Sequence, residues 1–190
     1  MNLPYISDKT FKSTNYSTDH LLQAEYDNCT FINCDFSESH ISNISFIQCV
    51  FIDCNFSMVK AKNTSLQDVI FDNCKLLGFP FHDSNSFLMS MTFIKSQLNL
   101  SSFFNLQLKN TIFKDCKLEQ TDFTNVNLSG SSFDNCDLYL TIFDNTLLEK
   151  VDFTTSYNLS INPNNNRIKD ANFSKENALG LLTIFQINID

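Results

Sequence analysis

The chain has 190 residues, 43% of them hydrophobic, and a formal net charge of −8; it is long enough for one domain with its own core, and its charge argues against direct nucleic-acid binding and for a basic partner. Twenty Phe, no Trp, three Gly and three Pro are a poor recipe for an ordinary globule, whose turns and helix ends use Gly and Pro freely. The opening "MNLPYISDKT" has no basic flank before an apolar run, and no stretch of 18 apolar residues occurs, so a soluble cytoplasmic protein with reduced thiols is expected.

From Ile6 onward every fifth residue is large and apolar. The series runs through Phe11, Tyr16, Leu21, Tyr26 and Phe31 to Phe81, and Ala61 is its one small member. The phase slips by two residues within "HDSNS", near residues 82–86, and the spacing places the next centre at Leu88, followed by Phe93, Leu98, Phe103 and so on to Phe153. Two positions before most centres stands a small residue, as at Cys29, Cys34, Ser39, Val59, Thr64, Thr121 and Val126, and the flanks are mostly Asn, Asp, Lys, Ser, Thr or Gln. Neither a 3.6-residue helix nor a plain alternating strand produces this pattern. A chain that bends every five residues and sends positions i−2 and i inward does.

On these residues the chain resembles the pentapeptide repeat family, whose consensus is visible in "CDFSE", "VNLSG" and "CDLYL" over roughly residues 6–178. The resemblance implies an all-β fold, a right-handed quadrilateral parallel β-helix with four pentapeptides per coil, here a single domain over residues 1–190. Four repeats per coil predict a stacking period of twenty. Allowing for the slip, one column is Phe throughout, from Phe11 and Phe31 to Phe153 and Phe173, whereas another is aliphatic, with Leu66, Leu88, Leu108, Leu128, Leu148 and Ile168. At the ~4.8 Å spacing of neighbouring strands, the eight steps from Phe11 to Phe173 make a rod about 38 Å long.

All seven cysteines, Cys29, Cys34, Cys49, Cys54, Cys74, Cys116 and Cys136, fall in the small inward slot. Side chains stacked in parallel cannot converge tetrahedrally on zinc, and their parallel Cβ directions would strain a disulfide torsion. They are expected as small buried core residues, with no metal or other cofactor. His20 and His40 are outward neighbours with Lys60 next in line, and nothing in the pattern brings further ligands to them. A coil packed with Phe and Leu leaves no pocket for acid–base catalysis, and no nucleophile–base set or phosphate loop is present. No catalytic residue is assigned and an enzyme is not expected.

Toward the C-terminus the repeat weakens in "NLSINPNNNR", where Asn158 and Pro163 fall at expected centres, and Ile168 and Phe173 restore it. The final segment, 174–190, is apolar enough to cap the open end of a β-helix. A short helix over 175–183 followed by an extended tail is predicted. Leu179, Leu181, Leu182, Ile184 and Phe185 would also suit a two-fold homodimer joined through the C-terminal coils.

Acidic residues cluster in the C-terminal half: Asp115, Glu119, Asp122, Asp134, Asp137, Asp144, Glu149 and Asp152, against Lys117 and Lys150, while residues 84–114 contain no acid. On a rod of regular pitch this favours a mimic of duplex DNA. The length and the stretch "INPNNNRIKDANFSKENALGLL" are similar to the quinolone-resistance (Qnr-type) and microcin B17 immunity members of the family. That similarity implies binding to DNA gyrase or topoisomerase IV, dimerisation through the C-terminal coils, and relief from topoisomerase poisons. Several Qnr-type proteins carry projecting loops linked to protection, and this chain has only its two-residue slip, which fits a protein that inhibits gyrase without rescuing it. The competing reading is a non-enzymatic scaffold whose partner does not bind DNA. It rests on the outward apolar stripe of Ile32, Val50, Ile52, Ile70, Ile94 and Ile112.

Overall fold

The computed structural model describes residues 3–188. It is a right-handed parallel β-helix of four faces. Face 1 carries the four-stranded sheet of β1 (Tyr5–Ser7), β3 (Glu25–Asp27), β5 (Ser45–Ile47) and β7 (Ser65–Gln67). Face 2 carries a seven-stranded sheet: β2 (Thr10–Lys12), β4 (Thr30–Ile32), β6 (Val50–Ile52), β8 (Val69–Asp72), β9 (Met91–Ile94), β10 (Ile112–Lys114) and β11 (Ser132–Asp134). Faces 3 and 4 are joined by single bridges, such as Asp35 with Asn55 and Ser102 with Asp122. The register is twenty residues in these ladders, as in Phe11 with Phe31 and Phe113 with Phe133.

The scarcity of Gly and Pro has a local explanation. The second residue after a core centre turns the corner in the left-handed region, and among the described residues 27 that are not glycine have positive φ, sixteen of them Asn or Asp. These two residue types tolerate that region best after glycine. Their side chains also bond along the rod: the Asn28 amide donates to Asp8 at 2.7 Å and the Asn73 amide to Asp53 at 2.6 Å. At such corners an amide ladder takes the place of a glycine.

Inside, the Phe column on face 2 is continuous. From Phe11 to Phe173 successive rings stack with centroids 4.7–5.5 Å apart and planes within 20°. Neighbouring columns meet edge to face, as Phe51 does with Phe56 at 5.0 Å and 88°. Such aromatic pairs add ~0.5–1.5 kcal/mol each beyond burial. The seven thiols are buried and unpaired. Their slot proves to select for more than size: Cys49, Cys54, Cys74 and Cys136 donate to the carbonyl 23 residues back at 3.4 Å, and Thr64, Thr121, Ser131 and Thr146 do the same with hydroxyls at 2.8–3.1 Å. A buried small donor therefore ties one coil to the one before it. Burial pushes the Cys49 thiol up to about 12, which keeps it protonated and able to donate.

The interruption lies slightly beyond the expected 82–86. Ser65 still pairs with Asn85 at twenty, whereas Val69 pairs with Met91 at twenty-two. The extra residues form a tight turn at Ser86–Met89, closed by Met89 N–H to the Ser86 carbonyl at 3.4 Å. Leu88, expected in the core, is 64% exposed with φ 54°, and Met89 fills the core place between Leu66 and Leu108. One side before the turn, Phe79 occupies a slot that is small elsewhere in its column, stacked on Phe81 at 4.0 Å. Ala61, twenty residues before Phe81, is the small member of that core series.

The weakened coil also departs from the expected centres. Asn158 is an exposed left-handed corner, while Leu159 and Ile161 turn inward. Asn166 replaces the small donor there, bonding the Phe143 carbonyl at 3.0 Å. The cap begins as α1 (Lys175–Ala178), N-capped by Ser174, and the 3-10 turns Leu179–Leu181 and Thr183–Phe185 follow. The predicted extended tail is thus helical through Phe185, and Ile189 and Asp190 lie outside the described residues. Asn177 reaches under the cap to the carbonyls of Phe153 and Ser156 at 2.7 and 2.6 Å, closing the last open coil. Gly180 is required for close approach, because a Cβ there would lie 2.0 Å from the Leu159 carbonyl oxygen.

Candidate interaction surface

The eight acids occupy rungs of all four faces. Asp115, Asp134 and Asp152 stand on or beside face 2, next to Lys114 and Ser132. Asp137 and Glu119 belong to face 3, Asp122 and Asp144 to face 4, and Glu149 to face 1. They form a belt around the rod, two coil steps and about 10 Å tall. Asp134 and Asp152 are exposed and the other six half-buried.

Neutral donors hold seven of the eight carboxylates, all but that of Glu149. Asp122, Asp137 and Asp152 accept from the backbone N–H two residues on, at 2.9, 3.2 and 2.9 Å. Asp115 accepts from the Asn135 amide at 2.7 Å, Asp134 from the Thr155 hydroxyl at 2.8 Å, Glu119 from Asn99 at 3.2 Å and Asp144 from Asn165 at 3.1 Å. Among the described residues the one ion pair is His82–Asp83 at 3.6 Å. No Lys or Arg neutralises the belt at contact distance, so its field points outward. Burial, and then the Asp137 carboxylate, raise the Tyr157 phenol at its edge.

Asp35, on face 3, accepts from the Ser37 N–H at 2.9 Å and holds its own turn. His40 bridges to Lys60, and among the described residues no group of three or more His, Cys, Asp or Glu could hold a metal ion. The isoleucine stripe lies on face 2 with Ile32, Val50, Ile52, Ile70 and Ile94 half-buried and Ile112 48% exposed. At the capped end Leu181 packs against the core, whereas Leu179, Leu182, Ile184 and Phe185 are 36–54% exposed, as is Ile187 at 55%. Sequence reading missed one exposed pair. Phe87, 68% exposed, and Leu88 project together from the inserted turn, and Asn85 fixes that turn by accepting from the Phe87 N–H at 3.0 Å. The "SNSFLM" run, with two large apolar residues where the phase breaks, was the available signal.

A pentapeptide repeat region model matches residues 24–103, and a model of eight pentapeptide repeats matches residues 101–143. The chain belongs to the pentapeptide repeat family. Two trypsin-treated forms of QnrB1, a plasmid-mediated fluoroquinolone resistance protein, share its fold: TM-scores are 0.64 and 0.63 at 16% identity, covering 98% and 100% of this chain and all of theirs. No curated protein matches the chain. Among the described residues no helix is long and apolar enough to cross a membrane.

Proposed function

We propose that this pentapeptide repeat protein is a non-enzymatic, cytoplasmic binding protein that mimics duplex DNA and occupies the basic DNA-binding saddle of a type II topoisomerase, DNA gyrase or topoisomerase IV. The observation that carries the reading is the belt from Asp115 to Asp152, whose carboxylates are oriented by neutral donors and free of contact with Lys or Arg. A saddle built to close around a duplex meets negative charge on several faces of such a rod. Likeness of fold to a fluoroquinolone resistance protein is consistent with that target and with relief from quinolones.

The exposed apolar cap suits a homodimer through Leu179, Leu182, Ile184 and Phe185, with Leu181 acting from within the cap. Two rods end to end would span about 76 Å at the same rise per coil. The second reading, an interaction scaffold for a partner that does not bind DNA, rests on the face 2 isoleucines.

A gyrase supercoiling assay separates them. Inhibition, or protection from ciprofloxacin, is expected at micromolar protein and should weaken as salt rises. Asp→Asn and Glu→Gln at the eight belt positions should abolish it while substitution of Ile52 and Ile94 leaves it intact. No effect of the unmodified protein on either readout would sink the proposal.

A further inference from the structure

Face 2 carries the longer of the two sheets and an outward stripe of Ile and Val, and its charges run in a definite order. Along the column just after each core centre stand Lys12, Ile32, Ile52, Asp72, Ile94, Lys114 and Asp134. At the adjoining corner Asp53 and Lys95 lie two coils apart, about 10 Å, and on the other side Val50 and Ile70 stack in register. Lys12, Asp53, Lys95 and Asp134 are exposed, and within the described chain none is in an ion pair.

We propose that face 2 binds a second copy of this chain, face to face and antiparallel, on a two-fold axis that crosses the rod at the Ile70–Asp72 rung. Such an axis sets each column against itself in reverse order. Lys12 then meets Asp134 of the second copy, Asp53 meets Lys95, and Ile52 meets Ile94, each pair occurring twice, while Ile70 packs on its own copy. Other registers are self-defeating. Moving the axis half a coil toward the N-terminus opposes Lys12 to Lys114, and half a coil the other way opposes Asp53 to Asp115. A full coil opposes Asp53, or Lys95, to its own copy. Like charges brought together in this way select against those registers. The favoured register has one like-charged pair, Asp72 against its copy, and that pair limits affinity. The inference is independent of the topoisomerase reading and involves a different surface from the apolar cap.

The test is sedimentation equilibrium of the full chain carrying Leu182→Glu and Phe185→Glu, which removes end-to-end association from the measurement. A dimer is expected at micromolar concentrations. Asp53→Lys alone and Lys95→Asp alone should each weaken it about tenfold or more, and the two together should restore it, because the charges are then exchanged between partners. Asp72→Asn should tighten it several-fold. A monomer at all concentrations up to about 0.1 mM, a dimer indifferent to both single reversals, or a double variant no better than either single one overturns the proposal. As a second readout, Ile70→Cys sits on the axis and should cross-link to its copy under mild oxidation, since all seven native thiols are buried. Absence of that cross-link, or one no stronger than that of a face 4 control, Ser102→Cys, also overturns it.

Discussion

The coils up to Ala61 and those after it fill the core in different arrangements. Before it, aromatic rings fill three columns, as in Tyr26, Phe31 and Phe36 or Phe46, Phe51 and Phe56, and the fourth corner is Ile41 or Ala61. After it, Phe and Leu alternate strictly, as in Leu108, Phe113, Leu118 and Phe123. One backbone coil therefore accepts both sets of side chains. The exchange begins at Leu66, and three local anomalies follow it: Phe79 in a small slot, the 3-10 turn at Phe81–Asp83, and the excursion at Ser86–Met89. Phe79 lies 6.1 Å from Phe56 and 4.0 Å from Phe81, bridging the aromatic columns of one half to those of the other.

The largest effects should come from breaking a column shared by both halves. Phe113→Ala and Phe51→Ala, each at a fully buried ring, should cost ~3–5 kcal/mol in chemical denaturation. Phe79→Ala restores a small residue to its slot yet should cost ~3 kcal/mol, because the ring fills the seam between the two arrangements. A neutral Phe79→Ala would show that the seam is empty of strain and that the insertion has another origin. Gly180→Ala should come next. The cap must lift away from Leu159 to admit a Cβ, so faster proteolysis after residue 174 is expected at unchanged stability of the coils.

Of the fold, the five-residue period, the twenty-residue stack and the inward thiols were legible directly, because each core residue in a regular coil touches its own equivalent one coil away. Leu88 and Asn158 were not: at both places the period breaks, and the core position passes to Met89 and to Leu159 and Ile161. Of the candidate surface, the membership of the acidic cluster was legible and its shape was not. Consecutive acids three to five residues apart sound like neighbours in a linear chain, yet each fifth residue turns a corner, so Glu119 and Asp122 leave on different faces.

The smallest expected effects concern the thiol slot, where the two halves behave alike. Cys54→Ser preserves a donor to the Phe31 carbonyl, 3.4 Å from the thiol, and should cost ~1 kcal/mol, whereas Cys54→Val keeps the size, loses the donor and should cost no less. The slot also has a pH signature. Cys49 is raised from 9.0 to about 12 by burial, so the folded state holds its proton where the unfolded chain releases it. Its contribution to stability should be complete below about 9 and should be lost progressively between about 9 and 12. A urea titration should show that decline, and Cys49→Ser should flatten it.

The sequence by itself determined the repeat, the four-sided coil and the identity of nearly every inward side chain. In a solenoid the local pattern and the long-range contact are the same fact repeated each twenty residues. Only the tertiary structure decided which residue enters the core where the count fails, how a cap seats on the last coil through Asn177 and Gly180, and how the outward charges distribute over four faces. Those outcomes depend on the space and bonding groups that neighbouring coils leave unfilled, and no five-residue window contains that information.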